Sequence, residues 1–369
     1  MKSGLSIQEF ALEIERQQNA KRDFIVPTKA LVMLTDGQLD KPGPMSLGSD
    51  DGKLPAATIN DVAHGQIAEY TKIPKPYYDR MLAEAPDLLS SNVERWFQKY
   101  PAPRLLRTLD GKLRAFLSDH YRNTGLENAD IAEAALPALV AIGAEIMSCD
   151  ITDKRLYIKA VDPRIKRDIP CGRKLGDGSH VFFHTVSPAV IILNSEVGLG
   201  AFHIDYGVFD DVCTNLAATA RDGMRRTHVG GKLQAGDNFQ AKLSDETKAA
   251  KDRALWLEMR DTVKLAFDAA MFEAHCRKLR DMTEQPIEGD PVKVVELTVK
   301  KFGFTQENGT SILKHLIEGG DLSRFGLYNA VTRTAQDVAD YDRATDLEYA
   351  GGKFVELAQA EWHELATAA

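Results

Sequence analysis

The chain has 369 residues, of which 44% are hydrophobic and 27% charged, a balance that is typical of a globular protein. Its formal net charge of −8 excludes a strongly basic nucleic-acid-binding module as a description of the whole chain, but not a local basic patch. Four cysteines without a C-x-x-C pair argue against a zinc ribbon, a redox motif or a disulfide scaffold. We expect these thiols to be reduced and mostly buried.

The sequence predicts a protein without a membrane segment. Its first residues include acidic side chains and no apolar stretch, so they do not resemble a signal peptide. The longest apolar run, at 134–144, is too short to cross a bilayer and is interrupted by Pro137 and Gly143. We therefore expect a cytoplasmic protein with no membrane partner.

The first hundred residues are predicted to be mainly helical. Ser6 followed by Glu9 has the spacing of a capping box and opens the first helix. A stretch rich in glycine and proline at 36–55 predicts a loop. The remaining elements of this region are an extended segment at 21–27, a short strand at 31–34, helices at 59–73 and 91–100, and a turn of helix at 77–82.

The centre of the chain has β-strand character. The run from Arg104 to Leu109, the Asp110-Gly111 pair and the run from Lys112 to Leu117 together predict a tight β-hairpin. In 155–161, apolar and polar residues alternate as on a strand with one covered face. The other predicted elements are a helix at 129–142, strands at 145–150, 181–186, 190–194 and 198–206, and a helix at 213–226.

The last third is predicted to be helical, because long amphipathic patterns follow one another with proline and glycine at their ends. Clustered strands between two helical regions favour an α+β fold with a central antiparallel β-sheet over a doubly wound sheet. We expect a helical N-terminal region (1–100), a β-rich central region with the basic hairpin (101–235), and a helical C-terminal region (236–369) that forms one compact unit with the centre.

Basic residues on and after the hairpin suggest a surface for single-stranded nucleic acid, since phosphates need spread cations and bases stack on aromatic rings. An alternative is that these residues are the solvated faces of antiparallel strands, paired with acidic neighbours. The candidate binding residues are Arg104, Arg107, Lys112, Arg114, Phe116, Tyr121, Arg122, Arg155, Lys159, Arg225 and Arg226.

A metal site is a weaker hypothesis. His180 and His184 share one side of a predicted strand, and His203 and Asp205 follow on a later one. Alternation on a half-solvated sheet explains the same residues without a metal, and their spacing matches no known ligand pattern. No hydrolase or nucleotide-binding motif is present, so we predict no catalytic residue and no cofactor, and the sequence favours a non-enzyme.

Several segments resemble the phage/plasmid-like proteins that carry a domain of unknown function (the 932 type). They are Ile73-Pro-Lys-Pro-Tyr-Tyr-Asp-Arg-Met, Arg114-Ala-Phe-Leu-Ser-Asp-His-Tyr-Arg122, Asn194-Ser-Glu-Val-Gly-Leu-Gly200 with Val212-Cys-Thr-Asn215, and Leu327-Tyr-Asn-Ala-Val-Thr332. The resemblance spans about residues 60–355 and implies a mobile-element setting, in the host cytoplasm if a phage encodes the protein. It implies no reaction. Leu216 stands where related sequences commonly have glycine.

Three functions stay open at this point. The first is a nucleic-acid-binding accessory that binds or anneals single-stranded DNA in phage or plasmid recombination, as a monomer or as a homo-oligomer. The second is a phage protein that binds or inhibits a host defence protein. The third is an enzyme with an unrecognised metal site.

Overall fold

Two β-sheets, formed one after the other along the chain, are the framework of the fold. The computed structural model describes residues 1–35, 44–118, 126–174, 180–227 and 245–368. The strands are β1 (Arg22–Pro27), β2 (Leu31–Thr35), β3 (Met45–Ser49), β4 (Ala57–Ile59), β5 (Pro103–Leu109), β6 (Lys112–Ser118), β7 (Glu145–Ile151), β8 (Leu156–Val161), β9 (Arg167–Lys174), β10 (His180–Asn194), β11 (Phe202–Asp210) and β12 (Asn215–Arg226). The helices are α1 (Ile7–Ala20), α2 (Asp61–Thr71), α3 (Lys75–Glu84), α4 (Pro86–Lys99), α5 (Asn128–Ala141), α6 (Asp245–Leu265), α7 (Ala269–Thr283), α8 (Pro291–Phe302), α9 (Gln306–Gly319), α10 (Arg324–Asp337), α11 (Tyr341–Val355) and α12 (Gln359–Ala366).

The first sheet has the strand order β1-β5-β6-β4-β3-β2 and is antiparallel except for the β4–β6 pair. Helices α2, α3 and α4 supply apolar side chains to the core on this sheet, which includes Val26, Leu47, Ile67, Phe97 and Leu106. These residues bury one another and not residues of the second sheet, so this part of the chain has a hydrophobic core of its own.

The predicted hairpin is confirmed as β5 and β6. Asp110 and Gly111 have φ values of 51° and 75°, and a two-residue hairpin turn with both φ values positive matches the twist of its strands. Leu109 pairs with Lys112 directly across the turn. The sequence located this hairpin correctly because its turn chemistry is local.

The second sheet has the order β12-β11-β10-β8-β7, with β9 also paired to β10, and all its pairs are antiparallel. The fifteen-residue strand β10 is the central strand of this sheet, because it pairs with β8, β9 and β11. The first half of β10 pairs with β9 and the second half with β8, while β11 runs along the other edge of β10 from Val186 to Leu193. As a result, the start of β10 lies beside the turn that joins β11 to β12.

Helices cover both faces of the second sheet. Leu156, Ile158 and Ala160 of β8 pack in one core with side chains of α1, α5 and α6. The alternate residues Tyr157 and Lys159 face α11 and are fully buried. The predicted alternation along β8 is therefore present, but its polar side is covered by the C-terminal helices instead of water.

The α+β class, the antiparallel central strands and the helical C-terminal region are confirmed. The structure also differs from the sequence-based expectation. The first hundred residues contain β1, β3 and β4 besides β2, which the sequence predicted at 31–34, so the boundary at residue 100 cuts through the first sheet. The helix predicted at 213–226 is wrong: the segment forms β12, because β11 offers it a pairing edge and its Leu216, Ala217 and Ala218 become buried there, which overrides the helix propensity of alanine.

Among the residues that the structure describes, no helix has the length and apolar character needed to span a bilayer.

Candidate metal centre

Three side chains of different chemistry meet where β10 begins and β11 ends. His184 lies near the start of β10, Asp210 is the last residue of β11, and Cys213 belongs to the turn before β12. The register that pairs Val186 with Asp210 brings this turn next to His184, and the N–H of Asp211 donates to the carbonyl of Thr185 at 2.9 Å. The fold, not proximity in sequence, therefore assembles the group.

The ligand-type atoms of the three residues converge. His184 Nδ1 is hydrogen-bonded to Asp210 Oδ2, and Cys213 Sγ lies 4.0 Å from the same nitrogen. The three atoms all lie within 4.8 Å of one another. Asp210 Oδ1 accepts from the N–H groups of Val212 (2.8 Å) and Cys213 (3.2 Å), which fixes the orientation of the carboxylate.

Helix α10 holds the turn and the imidazole in place. The ring of Phe325 contacts the ring of His184 edge-on, with centroids 5.3 Å apart. Arg333 Nη1 and Gln336 Nε2 donate to the carbonyl of Cys213 at 2.8 Å and 3.0 Å. Thr214 has a φ of 53°, a left-handed conformation that a β-branched residue rarely adopts and that is common at functional turns.

The electrostatics of the group suit a cation at its centre. Burial by itself lowers the pKa of His184, but the hydrogen bonds to Asp210 and Cys213 outweigh it and raise this pKa to about 10. The carboxylate of Asp210 and the thiol of Cys213 both approach the imidazole, and they stabilise a positive charge on it. A divalent cation placed between the same three groups would satisfy them in their deprotonated forms.

His184 and Cys213 of this group line a pocket with a volume of about 320 Å³, and Asp210 lies behind them. Its other walls come from α9, from the loop after α9 and from α10. This volume is at the small end of the range for small-molecule sites. The lining includes apolar side chains such as Phe183 and Leu316, and the polar residues His315, Asp321, Asn329 and Arg333. A cleft between α1 and the first hairpin holds only about 10 Å³, too little for any ligand beyond a water molecule.

His315 adds a second imidazole to this pocket. Its Nε2 is hydrogen-bonded at 2.6 Å to Asp337 Oδ2, at the end of α10. Ser311 donates to the same carboxylate oxygen at 2.6 Å, so Asp337 is held from two sides. These hydrogen bonds lower the pKa of Asp337 against the opposing effect of burial. An oriented imidazole on a pocket wall is a group that can transfer protons.

Of the three metal candidates whose side chains the structure describes, one belongs to the cluster. His184 belongs to the cluster, but Asp205 pairs with Ile191, seven residues further along β10, which separates it from His184 by roughly 23 Å at the rise of a strand. Asp205 instead accepts a hydrogen bond from Tyr349, and His203 lies beside it at 3.9 Å. The four residues therefore do not form one site. The side chain of His180 lies outside the described residues.

Sequence reasoning missed Asp210 and Cys213. Cys213 belongs to the segment 212–215 that resembles the phage/plasmid-like proteins, but its own segment shows no partner for its thiol. The Asp-x-x-Cys spacing of a turn, in which a carboxylate accepts from the N–H groups that follow it, is the signal that could have located the pair. The histidine that joins them is 26 residues from Asp210, so only the strand pairing could identify it.

Three of the candidate nucleic-acid-binding residues lie in the interior. Arg107 is ion-paired with Asp23 (2.7 Å) and Glu127 (2.9 Å), and Lys159 with Glu348 (2.6 Å). Phe116 packs in the core of the first sheet. The sequence-based assignment of these three to a binding surface is corrected by their burial, because an ion-paired or packed side chain in the core offers nothing to a polynucleotide.

Two further candidates, Arg114 and Arg155, are half-buried and already contact other groups of the protein. Arg114 Nη1 donates to Gln17 Oε1 and its Nη2 to the carbonyl of Thr152, both at 3.1 Å. Arg155 lies 3.6 Å from Asp346 and donates to the carbonyl of Leu199. These contacts match the alternative of strand faces with neighbouring acids.

The remaining candidates are more accessible or undescribed. Arg104 lies over the rings of Tyr70 and Phe116, at 4.7 Å and 4.8 Å from their centroids. Lys112, Arg225 and Arg226 are exposed, the last beside Glu258. Tyr121 and Arg122 lie outside the described residues. Of the described cations, Arg107, Arg114 and Arg155 line one small cleft together with Lys21 and Glu196, and its volume of about 10 Å³ leaves no room for a polynucleotide.

In comparisons with known proteins, no family model, no curated protein and no solved structure matched this chain significantly. The fold and the site define it as an α+β protein with a His-Asp-Cys cluster at a pocket. The resemblance to the phage/plasmid-like proteins stays a prediction.

Proposed function

We propose that the protein is a metal-dependent enzyme that activates water at His184, Asp210 and Cys213 against a small molecule in the adjoining pocket. The observation that carries this proposal is the convergence of a nitrogen, an oxygen and a sulfur atom beside a cavity of about 320 Å³, whose wall includes His184 and Cys213. Structural zinc sites are closed by four protein ligands, whereas catalytic ones have three and leave a position for water.

The same geometry disfavours a thiol nucleophile. In a Cys-His-Asp triad, the acid orients one nitrogen of the imidazole while the other nitrogen takes the proton of the thiol. Here Asp210 and Cys213 both approach Nδ1 of His184. That nitrogen cannot donate to the carboxylate and accept from the thiol at once, so the arrangement suits a shared cation better than a proton relay.

The donor set supports a borderline-soft divalent ion such as Zn²⁺. Mg²⁺ and Ca²⁺ prefer oxygen ligands, so a thiolate in the donor set argues against both ions. Thiolate, imidazole and carboxylate are all ordinary ligands of zinc. Bound zinc would lower the pKa of a water molecule to near neutrality. In this chain, the N–H groups of Val212 and Cys213 orient the carboxylate of Asp210, α10 holds the Cys213 turn, and His315 is available to move a proton.

The test is metal binding by the purified full-length chain. We expect about one Zn²⁺ or Co²⁺ per chain after dialysis against chelator and readdition, with a cobalt–thiolate absorption band. His184→Ala and Cys213→Ser should each weaken binding by about 10-fold or more. Cys171→Ser is the matched control, because this thiol lines the same pocket but is not in the cluster. Stoichiometric binding that survives both cluster substitutions would contradict the proposal.

A second candidate, single-stranded nucleic-acid binding, is favoured by one surface on the first sheet. Trp96 and Tyr100 stack with an interplanar angle of 4°, Lys99 Nζ lies 5.1 Å and 5.4 Å from their ring centroids, and Arg104 lies over Tyr70 nearby. Tyr100 is 59% exposed. Exposed rings with interleaved cations are what stacked bases and phosphates require.

Fluorescence anisotropy with an oligothymidylate at low and physiological salt tests this second candidate. Tyr100→Ala and Lys99→Gln should weaken binding, the former by about 1–3 kcal/mol, and the affinity should fall with added salt. Tyr77→Ala on α3, an exposed tyrosine outside this surface, should leave it unchanged. No salt-sensitive binding by the wild-type chain would remove the idea.

A further inference from the structure

The pocket beside the His-Asp-Cys cluster contains two hydrogen-bond acceptors to which the protein offers no donor. Among the described residues, Asp321 Oδ2 and Asn329 Oδ1 are buried oxygens with no hydrogen-bond partner, and both residues line this pocket. An unsatisfied buried acceptor costs free energy, and a native structure that retains one needs a reason for it. Two such oxygens in residues that line one cavity point to a ligand that donates to both.

The loop that carries Asp321 is held rigidly. It joins α9 to α10 and is bridged to the segment after α7, where Ile287 donates to the carbonyl of Leu322 and Arg324 to that of Gln285, both at 2.8 Å. A side chain at Gly326 would collide with the carbonyl of Asp321, because an added Cβ would lie 1.9 Å from it. The acceptor position is therefore set before any ligand arrives, as a binding site requires.

The charges around the pocket favour a cationic ligand. Arg333, the guanidinium in the lining, donates to the carbonyl of Cys213 and to Gln336 Oε1, and its charge acts on the carboxylate of Asp337. A divalent metal bound by His184, Asp210 and Cys213 is balanced by one carboxylate and one thiolate. Among the described residues, no cation forms a hydrogen bond with Asp321 Oδ2. Burial raises the pKa of Asp321, against the opposing effects of a hydrogen bond with Ser323 and of the charge of His184.

We propose that the pocket binds a small molecule carrying a guanidinium or primary ammonium group, which donates to Asp321 and Asn329 while the rest of the molecule extends toward His184 and Cys213. This inference deepens the proposed function by naming the substrate class of the same site. The apolar side chains of Phe183, Val212 and Leu316 suit a short carbon chain between the cationic group and the His-Asp-Cys cluster.

The test uses isothermal titration calorimetry of the zinc-loaded full-length chain with n-propylguanidinium chloride, n-butylammonium chloride and sodium butyrate. We expect the two cations to bind and butyrate not to. Asp321→Asn, which keeps the shape but removes the charge, should weaken propylguanidinium binding by about tenfold or more, since a hydrogen bond to a charged group is worth that much. Glu318→Gln is the matched control, because this side chain lies on the same pocket but is 60% exposed, and it should change the affinity less than about twofold.

The outcomes separate this inference from the proposed function. If the chain binds zinc but butyrate binds in preference to both cations, or if Asp321→Asn changes nothing, the inference is overturned while the metal site stands. If the chain binds no metal yet takes propylguanidinium through Asp321, the metal-dependent function fails and the cation site stands. Unchanged zinc binding by Asp321→Asn shows that the variant is folded.

Discussion

Buried ionisable side chains account for much of the specificity of this fold at the scale of single residues. The ion pair between Lys159 and Glu348 is the most enclosed example, with both side chains at most 1% exposed. Lys159 also donates to Thr345 at 3.0 Å and lies 4.4 Å from the ring centroid of Tyr341. These contacts compensate for the removal of its charge from water and join β8 to α11.

Removing one partner of this pair should be costly. We expect Lys159→Met to lower the free energy of unfolding by about 3–5 kcal/mol, because it leaves Glu348 buried without its ion-pair partner. The double variant Lys159→Met with Glu348→Leu should recover most of this loss. Urea denaturation of the three chains measures both effects. A single-variant loss below about 1 kcal/mol, as at a solvated ion pair, would show that the charges are not buried together.

Asp205 should make stability depend on pH. Burial raises the pKa of this carboxyl to about 6, against the opposing hydrogen bond from Tyr349, while in the unfolded chain it has the ordinary value of about 3.9. The folded state therefore binds the proton more tightly, and its stabilising contribution is present below about pH 4 and lost as the pH rises to about 6.

Asp205→Asn tests this, since an amide still accepts from Tyr349 but never ionises. Relative to wild type, the variant should gain stability across this window, by up to about 3 kcal/mol. Denaturant titrations between about pH 4 and pH 7 provide the measurement. Asp281→Asn, an exposed carboxyl on α7, is the control and should show no such trend. A difference between Asp205→Asn and wild type that is independent of pH would refute the prediction.

At the scale of elements, the pairing of β11 with β12 contains a β-bulge that the sequence does not predict. The register shifts between Ile204, which faces Met224, and Tyr206, which faces Thr219, so β12 accommodates additional residues opposite Asp205. Gly223 lies at this bulge. An added Cβ there would lie 2.0 Å from the carbonyl oxygen of Ile204, which belongs to the backbone and cannot turn aside.

Gly223→Ala should therefore destabilise the protein by about 3 kcal/mol, as overpacking against backbone does. Gly319→Ala is the matched control, because a Cβ at this position in α9 meets nothing within 4 Å. Alanine there should be neutral or stabilise by about 0.5–1 kcal/mol through its helix propensity. Thermal unfolding of both variants measures the difference. Equal effects of the two substitutions would argue against the bulge.

At the scale of the whole molecule, a buried cluster of charges joins the first sheet to the second. Arg107 of β5 contacts Asp23 of β1, Glu127 before α5 and the carbonyl of Glu196 after β10. Lys21 reaches both glutamates. Opposite charges held in this way connect two hydrophobic cores that otherwise share few side chains.

Arg107→Met should uncouple the two sheets. We expect amide hydrogens of β5 and β6 to lose protection in native-state hydrogen exchange, while those of β10 and β11 keep theirs, because the first sheet can then open on its own. Arg16→Met is the control, since this arginine is 46% exposed in its side chain and pairs with acids at the surface. Uniform loss of protection in both sheets would contradict the uncoupling.

The sequence by itself determined what depends on neighbouring residues. Turn chemistry at Asp110-Gly111 placed the hairpin, the Ser6 and Glu9 spacing predicted a capping box that the structure contains, and long amphipathic patterns identified the C-terminal helices. Each of these signals lies within a few residues of the structure that it specifies. The same local signals established the α+β class.

Only the tertiary structure decided which residues share a site. It turned 213–226 from a predicted helix into an edge strand, buried Arg107 and Lys159 in ion pairs, and brought His184 to Asp210 and Cys213. Burial and strand register are properties of the assembled sheets, and a one-residue change of register would move every side chain to the other face. For this reason, a site assembled from three separate segments left no motif in the sequence.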